Sequence, residues 1–150
     1  MQYALSRPAN PQNHQQLSIA ITGAGAAGVI SCGELLLQAG AREGGRGLLR
    51  KAYGPQIRGG ESAALLKLTD DECYTAASRY DLVFALDWDN FSRFEDEIQL
   101  GPNSWVICDE TDVLPESVQA AQPGVVCLPF AELASSCHPE GRINTVSYTH

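Results

Sequence analysis

A glycine-rich turn between an apolar run and a helix-like segment constrains the fold of this chain most. The run from Leu17 to Thr22 is short and apolar, and it leads into the motif Gly23-x-Gly25-x-x-Gly28. Beyond the motif, from Val29 to Leu37, apolar residues recur every three or four positions, which predicts a helix with one buried stripe. A strand, a tight turn and a helix in this order begin a βα unit, so we expect an α/β sheet.

The rest of the chain continues this alternation. Five further strands are predicted, over Gly47 to Tyr53, Ser62 to Thr69, Asp81 to Leu86, Ser104 to Cys108 and Gly124 to Leu128. The second and third strands are close enough along the chain to form a hairpin. Three further helices are predicted: Asn90 to Ile98 with Phe91, Phe94 and Ile98 on one face, Pro115 to Ala121 with the proline at its first position, and Phe130 to Ser136. The pattern predicts a Rossmann-like three-layer α/β sandwich with a mostly parallel sheet.

Size and charge limit the function classes. With 150 residues and 16.1 kDa, the chain has room for one domain, which we expect over residues 18–145 after a disordered polar lead, 1–17. A net charge of −8 disfavours nucleic acid as a partner. No apolar run reaches the roughly 20 residues that span a bilayer, and the lead lacks the pattern of a secretory signal. We therefore expect no membrane partner and a cytoplasmic location.

The cysteines and the basic residues are distributed unevenly. Five cysteines without a CxxC pair predict neither a disulfide framework nor a metal or iron–sulfur site. Half of the basic residues lie between Arg42 and Arg58, where the net charge is +4. This segment forms either a positive patch that attracts a polyanionic ligand or a set of solvated side chains beside a strand.

The glycine motif is the first candidate binding site. Gly23 would permit the tight turn, Gly25 would let the backbone approach a pyrophosphate, and Gly28 would pack helix on strand. A nicotinamide site also needs an acid at the end of the second strand, which instead ends in Arg50-Lys51-Ala52-Tyr53. The alternatives are a phosphorylated ribose, as in NADP, or a turn that binds nothing.

The second candidate is the loop Tyr53-Gly54-Pro55-Gln56-Ile57-Arg58-Gly59-Gly60-Glu61. Pro55 stiffens one side of the loop and the paired glycines open the other, so Arg58 would be presented from a defined backbone. An arginine presented in this way binds a phosphate or a carboxylate, or pairs with Glu61 or a neighbouring domain.

Three segments together resemble a known family: Thr22 to Val29, Tyr53 to Glu61 and Tyr80 to Asp87. They resemble the gamma domain of 2-oxoacid:ferredoxin oxidoreductases, the family that acts on pyruvate, 2-oxoglutarate and ketoisovalerate, and most of all the form fused to the front of the alpha subunit. Such enzymes use thiamine diphosphate to decarboxylate a 2-oxoacid oxidatively, pass electrons through iron–sulfur clusters to ferredoxin, and usually release an acyl-coenzyme A.

The resemblance implies a supporting part in that reaction for this chain. Thiamine diphosphate, magnesium and [4Fe-4S] clusters are expected on the partner alpha and beta domains or subunits, so no catalytic residue is predicted here and ferredoxin is an indirect partner. Coenzyme A is the expected ligand, with Gly23, Gly25 and Gly28 shaping a crevice and Arg58, Gly59 and Gly60 facing the coenzyme or the thiamine-bearing domain. Which 2-oxoacid is used is left open.

Two other features are interpreted structurally. Asp87 and Asp89 follow a predicted strand, where they would serve either as acid–base or metal groups or, for Asp89 with Asn90, as a helix N-cap. The tail from Val146 to His150 does not resemble a continuation into an alpha domain, and we expect it to be non-native and the chain to be an N-terminal fragment. Apart from the family, the alternatives are a standalone NAD(P)-binding module and a structural spacer domain.

Overall fold

The computed structural model describes residues 16–24, 27–54, 60–88 and 91–137. These residues form six strands: β1 (Gln16–Ala24), β2 (Arg46–Tyr53), β3 (Glu61–Thr69), β4 (Leu82–Ala85), β5 (Trp105–Asp109) and β6 (Gly124–Leu128). They also form three α-helices: α1 (Val29–Arg42), α2 (Glu116–Ala120) and α3 (Phe130–Cys137). All six predicted strands are confirmed, with ends displaced by at most two residues.

The strands form one sheet in the order β2-β3-β1-β4-β5-β6. The β1, β4, β5 and β6 strands pair in parallel, whereas β3 runs antiparallel to both of its neighbours, β2 and β1. Five strands therefore point the same way and only β3 is reversed, which confirms the mostly parallel sheet. The predicted hairpin is β2–β3, with Tyr53 opposite Ser62 and Arg46 opposite Thr69.

The two faces of the sheet carry separate apolar clusters, which makes the three layers. On one face, α1 packs its apolar stripe against Ile19, Ile21, Ala64 and Leu66. On the other, Ala20, Leu65, Val83 and Val106 pack against side chains from the segment 91–98 and from α2. Alternate strand residues thus face opposite layers, as a sheet covered on both sides requires.

Close contact between α1 and the sheet depends on Gly33. A Cβ at this position would lie 2.7 Å from the Ala64 Cβ and 3.1 Å from the Leu49 Cδ1. The helix then ends near Glu43, and Gly44 follows with φ +85°, the left-handed conformation that glycine commonly adopts after a helix.

Three expectations need correction. The α-helix predicted over Asn90 to Ile98 is not formed by the described residues 91–98. Phe91–Arg93 is one 3-10 turn, with a hydrogen bond from the Phe94 N–H to the Phe91 carbonyl, although Phe91, Phe94 and Ile98 are buried as expected. Pro115 precedes α2 rather than opening it, because its ψ of 148° is extended. Gln16 and Leu17 belong to β1, where Gln16 pairs with Thr69, rather than to the polar lead.

Within these residues, no helix is long and apolar enough to cross a membrane. The tail from Val146 to His150 lies outside the described part of the chain.

Candidate functional site

The glycine turn closes tightly at the end of β1. The Ala27 N–H donates a hydrogen bond of 2.8 Å to the Ala24 carbonyl, and the Cys32 N–H donates one of 2.9 Å to the Gly28 carbonyl, the first bond of α1. Gly28 occupies the N-cap with φ 77°, a left-handed conformation that favours glycine over any L residue. Among the described residues, no side chain caps the helix and no acid lies in its first turn. An anion at this end of α1 would therefore meet the positive end of the helix dipole.

Gly23 supplies a close approach between strand and helix. A Cβ on Gly23 would lie 3.1 Å from both the Leu86 Cβ and the Val29 Cγ2. The glycine thus lets the end of β1, the end of β4 and the start of α1 converge. Gly28 provides the left-handed backbone angle.

Asp87 fastens the turn to the sheet. Its Oδ2 accepts a hydrogen bond of 2.8 Å from the Ala24 N–H, and the Leu86 N–H donates to the Thr22 carbonyl at 2.8 Å. Asp87 therefore acts on the backbone of the glycine turn. The metal alternative finds no support in the described ranges, which contain no group of three or more His, Cys, Asp or Glu side chains able to hold an ion. Asp89 and Asn90 lie outside the described residues.

The register of β1 and β3 brings the two predicted binding segments together. Gly23 pairs with Ser62 and Ala24 pairs with Glu61, so the loop that precedes β3 reaches the sheet beside the glycine turn. Gly60, the last residue of that loop, is adjacent to this pairing. Gly23, Gly28 and Gly60 therefore share one edge of the sheet, whereas Gly25, Arg58 and Gly59 lie outside the described residues.

At this edge, the chain connections also place strands on opposite sides of β1. After β1 the chain passes through α1 to β2 on one side, and after β3 it continues to β4 on the other side of β1. The carboxyl ends of β1 and β4 thus flank a topological switch point, the usual place for ligands in open α/β sheets. This position at the switch point favours a ligand-binding site at the glycine turn.

The basic residues of β2 are paired rather than free. Lys51 bonds to Glu34 of α1, Arg50 to Glu97, and Arg46 lies 3.6 Å from Glu72. The hydrogen bond that the Lys51 ammonium donates to the Glu34 carboxylate raises the pKa of Lys51. These carboxylates neutralise much of the +4 segment, so β2 itself is a weaker anion site than its sequence indicated. Because Arg50 and Lys51 are paired with carboxylates, they are less available to bind a phosphorylated ribose.

Three polar atoms that the sequence did not single out lie near the same edge. Thr22 Oγ1, Ser62 Oγ and Trp88 Nε1 are buried, with no hydrogen-bond partner in the described structure. Thr22 lies near the end of β1 and Ser62 near the start of β3, beside the glycine turn. Trp88 follows Asp87 and packs edge-on against Phe91, with the ring centroids 4.9 Å apart. Buried polar groups normally have partners, so these three are groups that a bound ligand or water would satisfy. In the sequence, Thr22 could have been recognised as a hydroxyl residue within a mostly apolar strand.

Comparison with known proteins adds to this picture. The profile of the family described as pyruvate ferredoxin/flavodoxin oxidoreductase matches residues 18–149. The 2-oxoglutarate synthase subunit KorC of Archaeoglobus fulgidus is 41% identical over 58 residues, which are 39% of this chain and 31% of that protein. The aligned region thus spans about a third of this curated relative.

Solved structures share the fold. The 2-oxoglutarate:ferredoxin oxidoreductase of Magnetococcus marinus, determined with 2-oxoglutarate, coenzyme A and succinyl-CoA bound, matches with a TM-score of 0.67 and 22% identity over 81% of this chain and 21% of its own. The gamma subunit of a keto/oxoacid ferredoxin oxidoreductase from Geobacter sulfurreducens matches at 0.61 and 21% identity, over 85% of this chain and 68% of its own. The pyruvate oxidoreductase subunit PORC of Thermotoga maritima matches at 0.63 and 15% identity, over 81% and 66%.

The resemblance that the three sequence segments carried is thereby confirmed at the level of the family, since the profile match extends over nearly the whole described domain. This chain belongs to the pyruvate ferredoxin/flavodoxin oxidoreductase family.

Proposed function

We propose that this chain is the gamma domain of a thiamine-diphosphate-dependent 2-oxoacid:ferredoxin oxidoreductase, an enzyme that decarboxylates a 2-oxoacid oxidatively and usually forms an acyl-CoA. In this proposal the chain has no catalytic residue and works only with alpha and beta domains that carry thiamine diphosphate, magnesium and [4Fe-4S] clusters. Ferredoxin receives the electrons from those partners, and the complex is cytoplasmic. The family match over residues 18–149 is the observation that carries the proposal.

Within that enzyme, the edge at the end of β1 holds coenzyme A or the thiamine-bearing domain. Three observations support this assignment: the start of α1, which no described side chain caps, the pairing of Gly23 with Ser62, which brings the start of β3 beside the glycine turn, and the buried polar atoms without described partners. Phosphate groups are bound by helix N-termini and by arginine side chains. The start of α1 lies at this edge, and in the sequence Arg58 precedes Gly60 by two residues. The Magnetococcus marinus enzyme, whose structure holds coenzyme A, supports coenzyme A as the class of ligand.

The Arg58→Ala variant of the assembled enzyme tests the site. Losing a charged hydrogen-bond donor to a phosphate costs about 1.5–3 kcal/mol, so the KM for coenzyme A should rise by roughly tenfold or more. If Arg58 instead faces the thiamine-bearing domain, subunit association weakens and the KM stays constant. The exposed Arg79, in the loop before β4, is the matched control, and Arg79→Ala should change neither quantity. A variant at Arg58 that alters neither would refute the assignment.

Thermal shift of the chain separates the proposal from its alternatives. Coenzyme A at a hundred times its Kd would add about 2.7 kcal/mol to the free energy of unfolding, a shift of several degrees. Stabilisation by NADPH but not by coenzyme A would favour a standalone NAD(P)-binding module. No shift with either nucleotide would favour a structural spacer. The paired state of Arg50 and Lys51 argues against the NADP alternative.

We also propose that the chain is the front of a fused alpha subunit. Reading the coding DNA beyond codon 150 in an independent clone tests this. An open frame that continues into a thiamine-type α/β domain would support the fusion, and a stop codon directly after His150 would favour a separate gamma subunit.

A further inference from the structure

Two cysteines face each other across the last pair of strands. Cys108 of β5 and Cys127 of β6 are register partners, and their Sγ atoms lie 4.0 Å apart. Cys108 is only 1% exposed, within the apolar cluster beneath α2, whereas Cys127 is exposed on the edge strand. The pair therefore joins a solvent-accessible thiol to a protected one.

The backbone at this pair suits a covalent link. Neighbouring strands lie about 4.8 Å apart, within the range of about 4.4–6.8 Å between Cα atoms that disulfides span. Both side chains point to the same face, because register partners in a parallel ladder share a face. Bonding requires the two Sγ atoms to approach from 4.0 Å to the roughly 2.05 Å of an S–S bond.

We propose that Cys108 and Cys127 form an oxidative modification site that takes hydroperoxides and closes to an intrachain disulfide. The exposed Cys127 thiolate attacks one peroxide oxygen, the O–O bond breaks, and water leaves after protonation of the second oxygen, which gives a sulfenic acid. The Cys108 sulfur, as thiolate, then attacks the Cys127 sulfur, the S–O bond breaks and a second water leaves. Two thiols and one hydrogen peroxide thus give one disulfide and two waters.

The order of the two steps follows from exposure. Peroxide reaches Cys127 at the open edge of the sheet, while Cys108 is covered by the segment that includes Val118. Burial and the neighbouring Cys127 thiol raise the pKa of Cys108 to about 11, which keeps this thiol protonated near neutral pH and disfavours it as the first nucleophile. Asp109 and Asp112 lie close enough to add to this rise.

Peptide mapping of the full chain after hydrogen peroxide treatment tests the proposal. Cleavage after glutamate separates the cysteines, because Cys108 falls in peptide 98–110, Cys127 in 117–132 and Cys137 in 133–140. We expect peptides 98–110 and 117–132 to be linked, with the mass of the intact protein lowered by about 2 Da for the two hydrogens lost. Dithiothreitol should restore both free thiols.

Variants make the test decisive. Cys127→Ser, at an exposed position that leaves the core intact, should abolish the link, and Cys108→Ser should leave a Cys127 sulfenic acid that dimedone traps. The matched control is Cys73→Ser, at a half-buried cysteine between β3 and β4, which should form the same Cys108–Cys127 link as the unsubstituted chain. A link from peptide 117–132 to 133–140, a disulfide between two chains, or persistence of the free Cys127 thiol at full oxidation of Cys73 would overturn the proposal.

Discussion

The carboxylate of Asp87 accepts a hydrogen bond of 2.8 Å from the backbone N–H of Ala24, 63 residues earlier in the chain. Asp81 does the same at the other end of the same two strands, where its Oδ2 accepts a bond of 2.7 Å from the Ser18 N–H. The two aspartates therefore clamp β1 against β4 at both ends. The hydrogen bond to Asp87 also fixes the backbone that leads into the glycine turn.

Replacing Asp87 with alanine should loosen this turn. A hydrogen bond to a charged group contributes about 1.5–3 kcal/mol, so we expect Asp87→Ala to lower the free energy of unfolding by about that amount. Urea unfolding measures the loss, and hydrogen exchange at the Ala24 amide should accelerate in parallel. Asp70→Ala, at an exposed aspartate in the bend after β3, should leave both unchanged. Equal effects of the two substitutions would contradict the clamp.

Adding one methyl group at Gly33 should force α1 away from the sheet. The new Cβ would lie 2.7 Å from the Ala64 Cβ, an atom fixed to the backbone of β3 that cannot rotate aside. Overpacking of this kind costs about 1–3 kcal/mol, partly offset by the higher helix propensity of alanine. Gly101→Ala is the control, since its Cβ would approach only Arg79 Nη1, at 3.8 Å. A Gly33→Ala chain as stable as the control would show that the helix can shift without cost.

Stability should fall in alkaline solution because of Cys108. Its pKa is raised in the folded chain from 9.0 to about 11, by burial first and by the Cys127 thiol second. Between these values the unfolded thiol ionises and the folded one does not, so the free energy of unfolding decreases by at most about 1.4 kcal/mol per pH unit. Urea unfolding under reductant from pH 8 to 11 measures the slope. Cys108→Ala should flatten it, and an unchanged slope would assign the loss to other groups.

Stability should also fall in acid because of Asp109. Its carboxylate accepts hydrogen bonds from the Thr111 hydroxyl and N–H, at 2.7 and 3.0 Å, and from the Phe130 N–H at the start of α3, at 2.9 Å. The Thr111 hydroxyl bond lowers the pKa most, followed by the two backbone bonds. The resulting stability is present above the ordinary pKa of 3.8 and is lost as the pH falls through the lower folded value.

The Asp109→Asn substitution checks this acid dependence. The variant should unfold at a lower urea concentration than the unsubstituted chain at pH 6, and the difference should narrow towards pH 3. The Asp70→Asn chain serves as the reference. A difference that stays constant with pH would mean that the carboxylate contributes through its shape rather than its charge.

Local pattern predicted most of the fold. Continuous apolar runs identified β4 and β5, and the short spacing around Gly59-Gly60 identified the hairpin. The pattern failed over residues 90–98, where Phe91, Phe94 and Ile98 repeat at helical spacing. There the Glu97 N–H bonds to the Phe94 carbonyl three residues back, so tight turns bury the same three side chains without an α-helix.

The candidate site was predictable in its residue types but not in its electrostatics. The motif located Gly23 and Gly28, yet nothing local to β2 indicates that Lys51 would meet Glu34 or that Arg50 would meet Glu97, 47 residues away. The Asp87 bond to Ala24 is of the same kind. Such pairings depend on the order of the strands in the sheet, which the local sequence pattern does not predict. They determine where positive charge is available to bind a ligand.

The reversed strand β3 has a consequence for synthesis on the ribosome. By residue 69 the chain already contains β1, α1, β2 and β3, whose mutual pairing and helix contacts need nothing made later. One side of this early sheet is sealed by α1, whereas Ala20, Ala63 and Leu65 on the other side await residues 80–118. At roughly 5–20 residues per second, the nascent chain carries that uncovered apolar side for several seconds. During this interval the emerging chain is most open to chaperones and to association with its neighbours on the same message.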